Sequence, residues 1–145
     1  FNMPFERRDI LFYLADVKEM LLNNPALFNG YAPKDVTDLN LFEVIPMDIL
    51  KRPRSERHIS IVKAINIDVT RAEGAVFCAQ KKGMFSREKE VCFYIPEEML
   101  IEGFITECKR RDIMLPRGGK KRTFVEDITI GIRIEKNTAG LELEF

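Results

Sequence analysis

The sequence has a single histidine, His58. That scarcity excludes a multi-histidine metal site and makes any nucleophile-histidine-acid constellation depend on one residue. His58 stands beside arginines and reads as a surface side chain, not as a general base. Net charge is missing too. Lys and Arg number 23 and Asp and Glu 23, so no surface-wide field draws in nucleic acid or membrane, and only a local patch can attract an anion. No apolar run reaches the roughly 18 residues of a membrane span, and no signal-peptide pattern opens the chain. With Met3 read as the natural start, the expected location is the cytoplasm. Cysteine is sparse and odd in number: Cys78, Cys92 and Cys108 form no C-x-x-C pair, and each sits in an apolar pattern. Buried thiols of a reducing compartment are expected in preference to a disulfide or a metal role. G-x-S-x-G, Walker A and G-x-G-x-x-G are all absent, so neither an enzyme nor a cofactor is expected.

What is present suits one α+β domain over residues 1–145. The hydrophobic fraction is 46%, and a chain of this length buries roughly two-thirds of the surface its unfolded form exposes, so a core forms without staples. Two stretches repeat one another in kind: Asp-Ile-Leu-Phe-Tyr-Leu-Ala-Asp at 9–16 and Glu-Val-Cys-Phe-Tyr-Ile-Pro-Glu at 90–97. Each predicts a strand running into a helix. The first helix should cover 15–24 and stop before Pro25. The second should cover 97–112, with Pro96 at its start, Glu97 and Glu98 in its first turn and basic residues in its last. Gly103 weakens that helix by about 1 kcal/mol relative to alanine and marks close approach of another element.

Between these lies an irregular, proline-punctuated insert at 25–53. It carries too many apolar residues for a linker and predicts short helical turns at 38–44 and 46–51, packed on the core. Ile59, Ile61, Ile65, Ile67 and Val69 alternate, which predicts a strand over 58–69, hairpinned to a partner at 75–80. A polar loop is expected at 81–89 with Gly83 as its pivot. Ile128, Ile130, Ile132 and Ile134 predict another strand, turning at 137–140 into 141–145. The order strand, helix, basic loop, isoleucine strand, turn, strand occurs twice, which suggests a duplicated β-α-β-β unit (about 6–82 and 88–145), with a mostly antiparallel sheet and both helices on one side.

The residues Pro4-Phe5-Glu6-Arg7-Arg8-Asp9-Ile10, and Cys108 followed by Ile113-Met114-Leu115-Pro116-Arg117 and then Lys120 and Lys121, carry a resemblance. They resemble the two ends of a group of short uncharacterised bacterial proteins, in which a Phe-Glu-Arg-Arg start precedes a strand and helix, and a second helix ends in Cys, then Ile-Pro-Leu-Pro and a basic residue. About a third of the chain is covered. Met114 replaces the group's first proline, and 25–53 has no counterpart. The resemblance implies the fold and a bacterial cytoplasm, and no activity.

Basic clustering is the one feature that points to a partner. Lys51, Arg52, Arg54 and Arg57 precede the first isoleucine stretch. Lys109, Arg110, Arg111, Arg117, Lys120, Lys121 and Arg122 precede the second, at positions that a duplication makes equivalent. Residues 116–122 are expected to be a flexible loop whose backbone N–H groups could form an anion nest. Against the reading of solvated, acid-balanced loop charges stands an anionic partner: nucleic acid, a phosphorylated ligand or an acidic protein surface. Two further classes stay open. Arg54-x-x-Arg57 and 68–74 faintly resemble the arginine loop and turn of PilZ-type cyclic-dinucleotide receptors, with the spacing off in both pieces and a strand required at 100–110. The 11 Phe also give material for a homodimeric scaffold without a small ligand.

Overall fold

The computed structural model describes residues 5–82 and 88–137. In chain order the elements are β1 (Phe5–Tyr13), α1 (Leu14–Asn23), a 3-10 turn (Val36–Asp38), β2 (Leu39–Pro46), α2 (Met47–Lys51), α3 (Glu56–Ile65), β3 (Gly74–Lys82), β4 (Glu88–Pro96), α4 (Glu97–Arg110), β5 (Lys120–Glu126) and β6 (Thr129–Asn137). The strands form two antiparallel three-stranded sheets, ordered β1-β6-β5 and β2-β3-β4. The fold is thus α+β, as the composition and periodicity predict. Among the described residues no helix is long and apolar enough to cross a membrane.

Exchanging β1 with β4, β2 with β5 and β3 with β6 turns one sheet order into the other. Each of the two similar octapeptides runs a strand into a helix, at β1-α1 and at β4-α4. Helices α2 and α3, inserted between β2 and β3, have no counterpart between β5 and β6, where two residues make the turn.

The main core lies where α1 and α4 pack on each other and on one face of both sheets. It contains Val17, Met20, Leu100 and Phe104 from the helices, Ala75, Phe77 and Ala79 from β3, and Ile130, Ile132 and Ile134 from β6. Gly103 is buried at the helix contact. A Cβ there would come within 2.6 Å of Phe28 Cζ and 3.2 Å of Met20 Sδ, which explains the glycine in a helix interior. A smaller cluster covers the opposite face of β3, where Val76 and Cys78 meet Ile45, Met47, Leu50 and Ile61. The unbroken apolar run Ala75–Ala79 is therefore that of a strand buried on both faces, odd residues in one core and even residues in the other.

Several sequence expectations are corrected. Residues 58–69 do not form a strand: α3 occupies 56–65, capped by Ser55, whose Oγ accepts the His58 backbone N–H at 3.2 Å. Ile61 is buried and Ile65 half-buried, four residues apart on one helical face, whereas Ile59 is exposed. The isoleucines satisfy the helical period where it matters for burial, and the cap decides the outcome. In consequence β3 is paired with β2 and β4 instead of with 58–69. Residues 38–44 are not helical turns; most belong to β2. A register shift between Leu41 and Glu43 places a bulge at Phe42, which breaks the period-two pattern that would have revealed the strand. Helix α2 does match the expected turn at 46–51. Residues 116–122 are not all loop, because Lys120, Lys121 and Arg122 belong to β5. The polar loop expected at 81–89 is shorter than that, because 81–82 belong to β3 and 88–89 to β4, and Asn137, the first residue of the turn expected at 137–140, ends β6. The expected pivot at Gly83, the rest of that turn and the closing strand at 141–145 lie outside the described residues.

Candidate anion-binding site

The basic residues separate into three places. Arg110 and Arg111 end α4, where cations favour the helix dipole, and both turn to carboxylates. Glu107 Oε1 accepts from Arg110 Nε at 2.7 Å, from Arg110 Nη2, and from Arg111 Nε at 3.0 Å. On α1, Glu19 pairs with Arg110 and Arg111, each at 3.0 Å, and Asp16 pairs with Arg111 at 3.0 Å. Burial alone would raise the Glu107 carboxyl; the hydrogen bonds and charges of the two arginines outweigh it and hold the group below its ordinary value. The Arg111 guanidinium also sits 5.6 Å from the centroid of the Phe12 ring. This network ties α4 to α1.

The second group follows α4. Lys121 Nζ donates to the Gly118 carbonyl at 3.4 Å, and Arg117 offers its own carbonyl to Lys136. Lys120 lies opposite Glu135 in the β5–β6 register. Arg122 turns away from these residues, to 3.9 Å from Glu97 and 4.0 Å from Glu73. The segments 51–57 and 109–122 are not equivalent in the fold: the first lies between β2 and β3, the second between α4 and β5 with part of the strand itself. They touch at one point, because Lys51 Nζ reaches Glu73 Oε1 at 2.6 Å while Arg122 approaches Oε2 of the same carboxylate.

The third group is built by the corner between α2 and α3. Pro46 opens α2 with an extended backbone, and Pro53 follows Arg52 where α2 has ended. Ser55 then starts α3, so the chain reverses within a few residues and its cations gather on one concave surface. Asp48, Ile49, Lys51, Arg52, Arg54 and His58 line an open cleft of about 680 Å³. Three cations face one carboxylate there. Among the described residues, no carboxylate lies within ion-pair distance of Arg52 or Arg54. His58 Nδ1 is shielded from water and lacks a hydrogen-bond partner.

Arg57 belongs to the same segment but leaves the cleft. It bridges Glu43 of β2 and Glu90 of β4, the latter at 2.6 Å, with its guanidinium 5.9 Å from the Phe42 ring centroid. Burial works against its charge, and the hydrogen bonds to Glu43 and Glu90 more than offset it, raising the group above its ordinary value. A neighbouring cleft of about 210 Å³ shares Asp48 and adds Glu73, Glu97, Arg122 and Thr123. Its Glu97 Oε2 is occupied by Thr123 Oγ1 at 2.9 Å. Asp48 and Ile49 were not legible as lining residues, because the corner exists only once 56–65 is a helix. The strand that a PilZ-type barrel requires at 100–110 is absent, since α4 covers it.

Comparison of the chain with protein-family models, with curated proteins and with solved structures finds no match.

Proposed function

We propose that the chain is a cytoplasmic, non-enzymatic binding domain whose partner is a phosphate-bearing ligand held in the α2–α3 cleft. The observation that carries this reading is the pair Arg52 and Arg54, which line the cleft without a carboxylate of their own. Arg110, Arg111 and Arg57 spend their donors inside the protein, and Arg122 stands near two carboxylates. A planar guanidinium matches phosphate oxygens with two parallel N–H donors, so Arg52 and Arg54 together supply the donors that one phosphate group needs, whereas Lys51 is already paired with Glu73 and the Nδ1 of His58 is shielded. The volume lies within the range of about 300–1,000 Å³ typical of small-ligand sites. Nucleic acid fits less well. Strand recognition adds exposed aromatic platforms for stacking, and among the described residues no Phe, Tyr or Trp lines this cleft.

Calorimetry with inorganic pyrophosphate at low ionic strength tests the proposal. The Arg52→Ala/Arg54→Ala protein should bind at least about tenfold more weakly, the scale of one charge-assisted hydrogen bond, and wild-type binding should weaken steeply with salt. Arg110→Ala should bind like wild type. Absence of measurable heat with the wild-type protein, or undiminished binding by the double variant, overturns the reading.

A further inference from the structure

The β3–β4 register sets Cys78 directly opposite Cys92, and their sulfurs lie 3.2 Å apart. A disulfide needs about 2.05 Å, so closure asks for a movement of only about 1 Å between two side chains that already face each other. The two thiols are not alike. Cys78 is on the central strand of its sheet and is fully buried beneath α3 in the smaller core. Cys92 is on the edge strand β4 and is half-buried. Cys108, on α4, is buried in the main core and belongs to the other cluster.

The surroundings sharpen that difference. Glu43, Cys78 and Cys92 form one row across β2, β3 and β4. Arg57 of α3 reaches over this row to Glu43 on one side and Glu90 on the other. The Glu90 oxygen that Arg57 holds at 2.6 Å is 3.8 Å from Cys92 Sγ. The hydrogen bond with Cys78 lowers the Cys92 thiol, with Arg57 helping, against burial and the Glu90 charge. The same sulfur-sulfur contact, followed by burial, pushes Cys78 up. The half-buried sulfur is thus the one whose proton is held less tightly, and its fully buried neighbour is the one whose proton is held more tightly.

We propose that Cys78 and Cys92 are a peroxide-sensitive dithiol, in which Cys92 is the attacking sulfur and Cys78 resolves it to a cross-strand disulfide. The Cys92 thiolate attacks the terminal oxygen of a hydroperoxide and the O–O bond breaks. The alkoxide leaves and takes up the proton that Cys92 released, giving an alcohol, or water from hydrogen peroxide, and a sulfenic acid on Cys92. Cys78 sulfur then attacks the Cys92 sulfur. The S–OH bond breaks and hydroxide leaves as water with the Cys78 proton. The dithiol loses two electrons, and the hydroperoxide gains them. Cys78, Cys92 and Glu90 also present three donor atoms within 4.8 Å of one another, a set that could hold a metal ion. Arg57 already occupies Glu90, and a divalent cation would have to displace that guanidinium, which favours the redox reading.

The experiment treats the reduced full chain with hydrogen peroxide and follows intact mass and thiol content. The expected product has lost the mass of two hydrogens within one chain, with the peptide containing Cys78 joined to that containing Cys92 and Cys108 still alkylatable. Cys78→Ser should accumulate a dimedone-trapped sulfenic acid at Cys92. Cys92→Ser should lose thiols at least about tenfold more slowly, as expected where the thiolate is the reacting species. The wild-type peptide map decides the linkage even if a serine variant is poorly folded. Equal consumption of all three thiols, a link to Cys108 or between chains, or full protection of the pair by added zinc at stoichiometric concentration overturns the proposal.

Discussion

Replacing Glu107 by glutamine tests whether the ionic network between α4 and α1 holds the fold. Glu107 is fully buried, and three arginine N–H donors converge on its Oε1. Glu107→Gln keeps an oxygen in place and removes the charge. A charge-assisted hydrogen bond is roughly twice as strong as a neutral one, and each contributes about 1.5–3 kcal/mol when fully sheltered. The Arg110 and Arg111 side chains are 44% and 28% exposed, so water recovers part of the loss, and about 1–2 kcal/mol is expected at neutral pH. With a urea slope of about 2 kcal/mol/M, the midpoint followed by far-UV circular dichroism should fall by about 0.5–1 M. The pH dependence fixes the cause. The folded-state value of the carboxyl lies below its ordinary 4.5, so its contribution is complete above that value and disappears as pH falls through the lower folded one. The gap between wild type and variant should therefore shrink on acidification. A gap as wide in acid as at pH 7, or no gap at pH 7, would refute an ionic origin.

Two further substitutions probe the elements that position the cleft and the core. Ser55→Ala removes the cap at the start of α3 and should cost about 1 kcal/mol in urea unfolding; an unchanged midpoint would mean that the cap does not hold the helix. Gly103→Ala gains about 1 kcal/mol of helix propensity but drives a methyl group into Phe28, which is only 2% exposed, at a cost of about 1–3 kcal/mol, so a net loss of up to about 2 kcal/mol is expected, and a stabilised variant would show slack between α1 and α4.

The strand-to-helix junctions at β1-α1 and β4-α4 were legible because local chemistry and tertiary packing agree there: apolar strand, proline or acid at the helix start, base at the end of α4. Elsewhere local patterns conflict with the result. The isoleucines at 59, 61 and 65 fit period two as written, yet the cap at Ser55 and the burial of Ile61 draw the segment into a helix. In β2 the bulge at Phe42 hides the alternation. In β5 the first three residues are Lys120, Lys121 and Arg122; charge of this kind protects an exposed edge strand from pairing with another chain, so it reads as a loop.

For the candidate site, residue types were legible and pairing was not. Nothing local says that Arg110 and Arg111 meet Asp16 and Glu19, more than ninety positions earlier, and only that meeting removes them from the cations available to a ligand. The dithiol was hidden for a related reason. Cys78 and Cys92 are far apart in sequence until 75–80 is paired with β4 instead of with 58–69, and then they are opposite neighbours. Both the cleft and the arginine over the dithiol come from α2, α3 and their corner, the part of the first half that the exchange of strand orders leaves without a counterpart. The paired strands and helices account for the core. The two arginines without a carboxylate and the arginine over the dithiol sit on the insertion, whereas the thiols themselves belong to the frame strands β3 and β4. A substitution of Arg52 or Arg54 should accordingly alter binding with little effect on the urea midpoint, because both are exposed and neither closes an ion pair among the described residues.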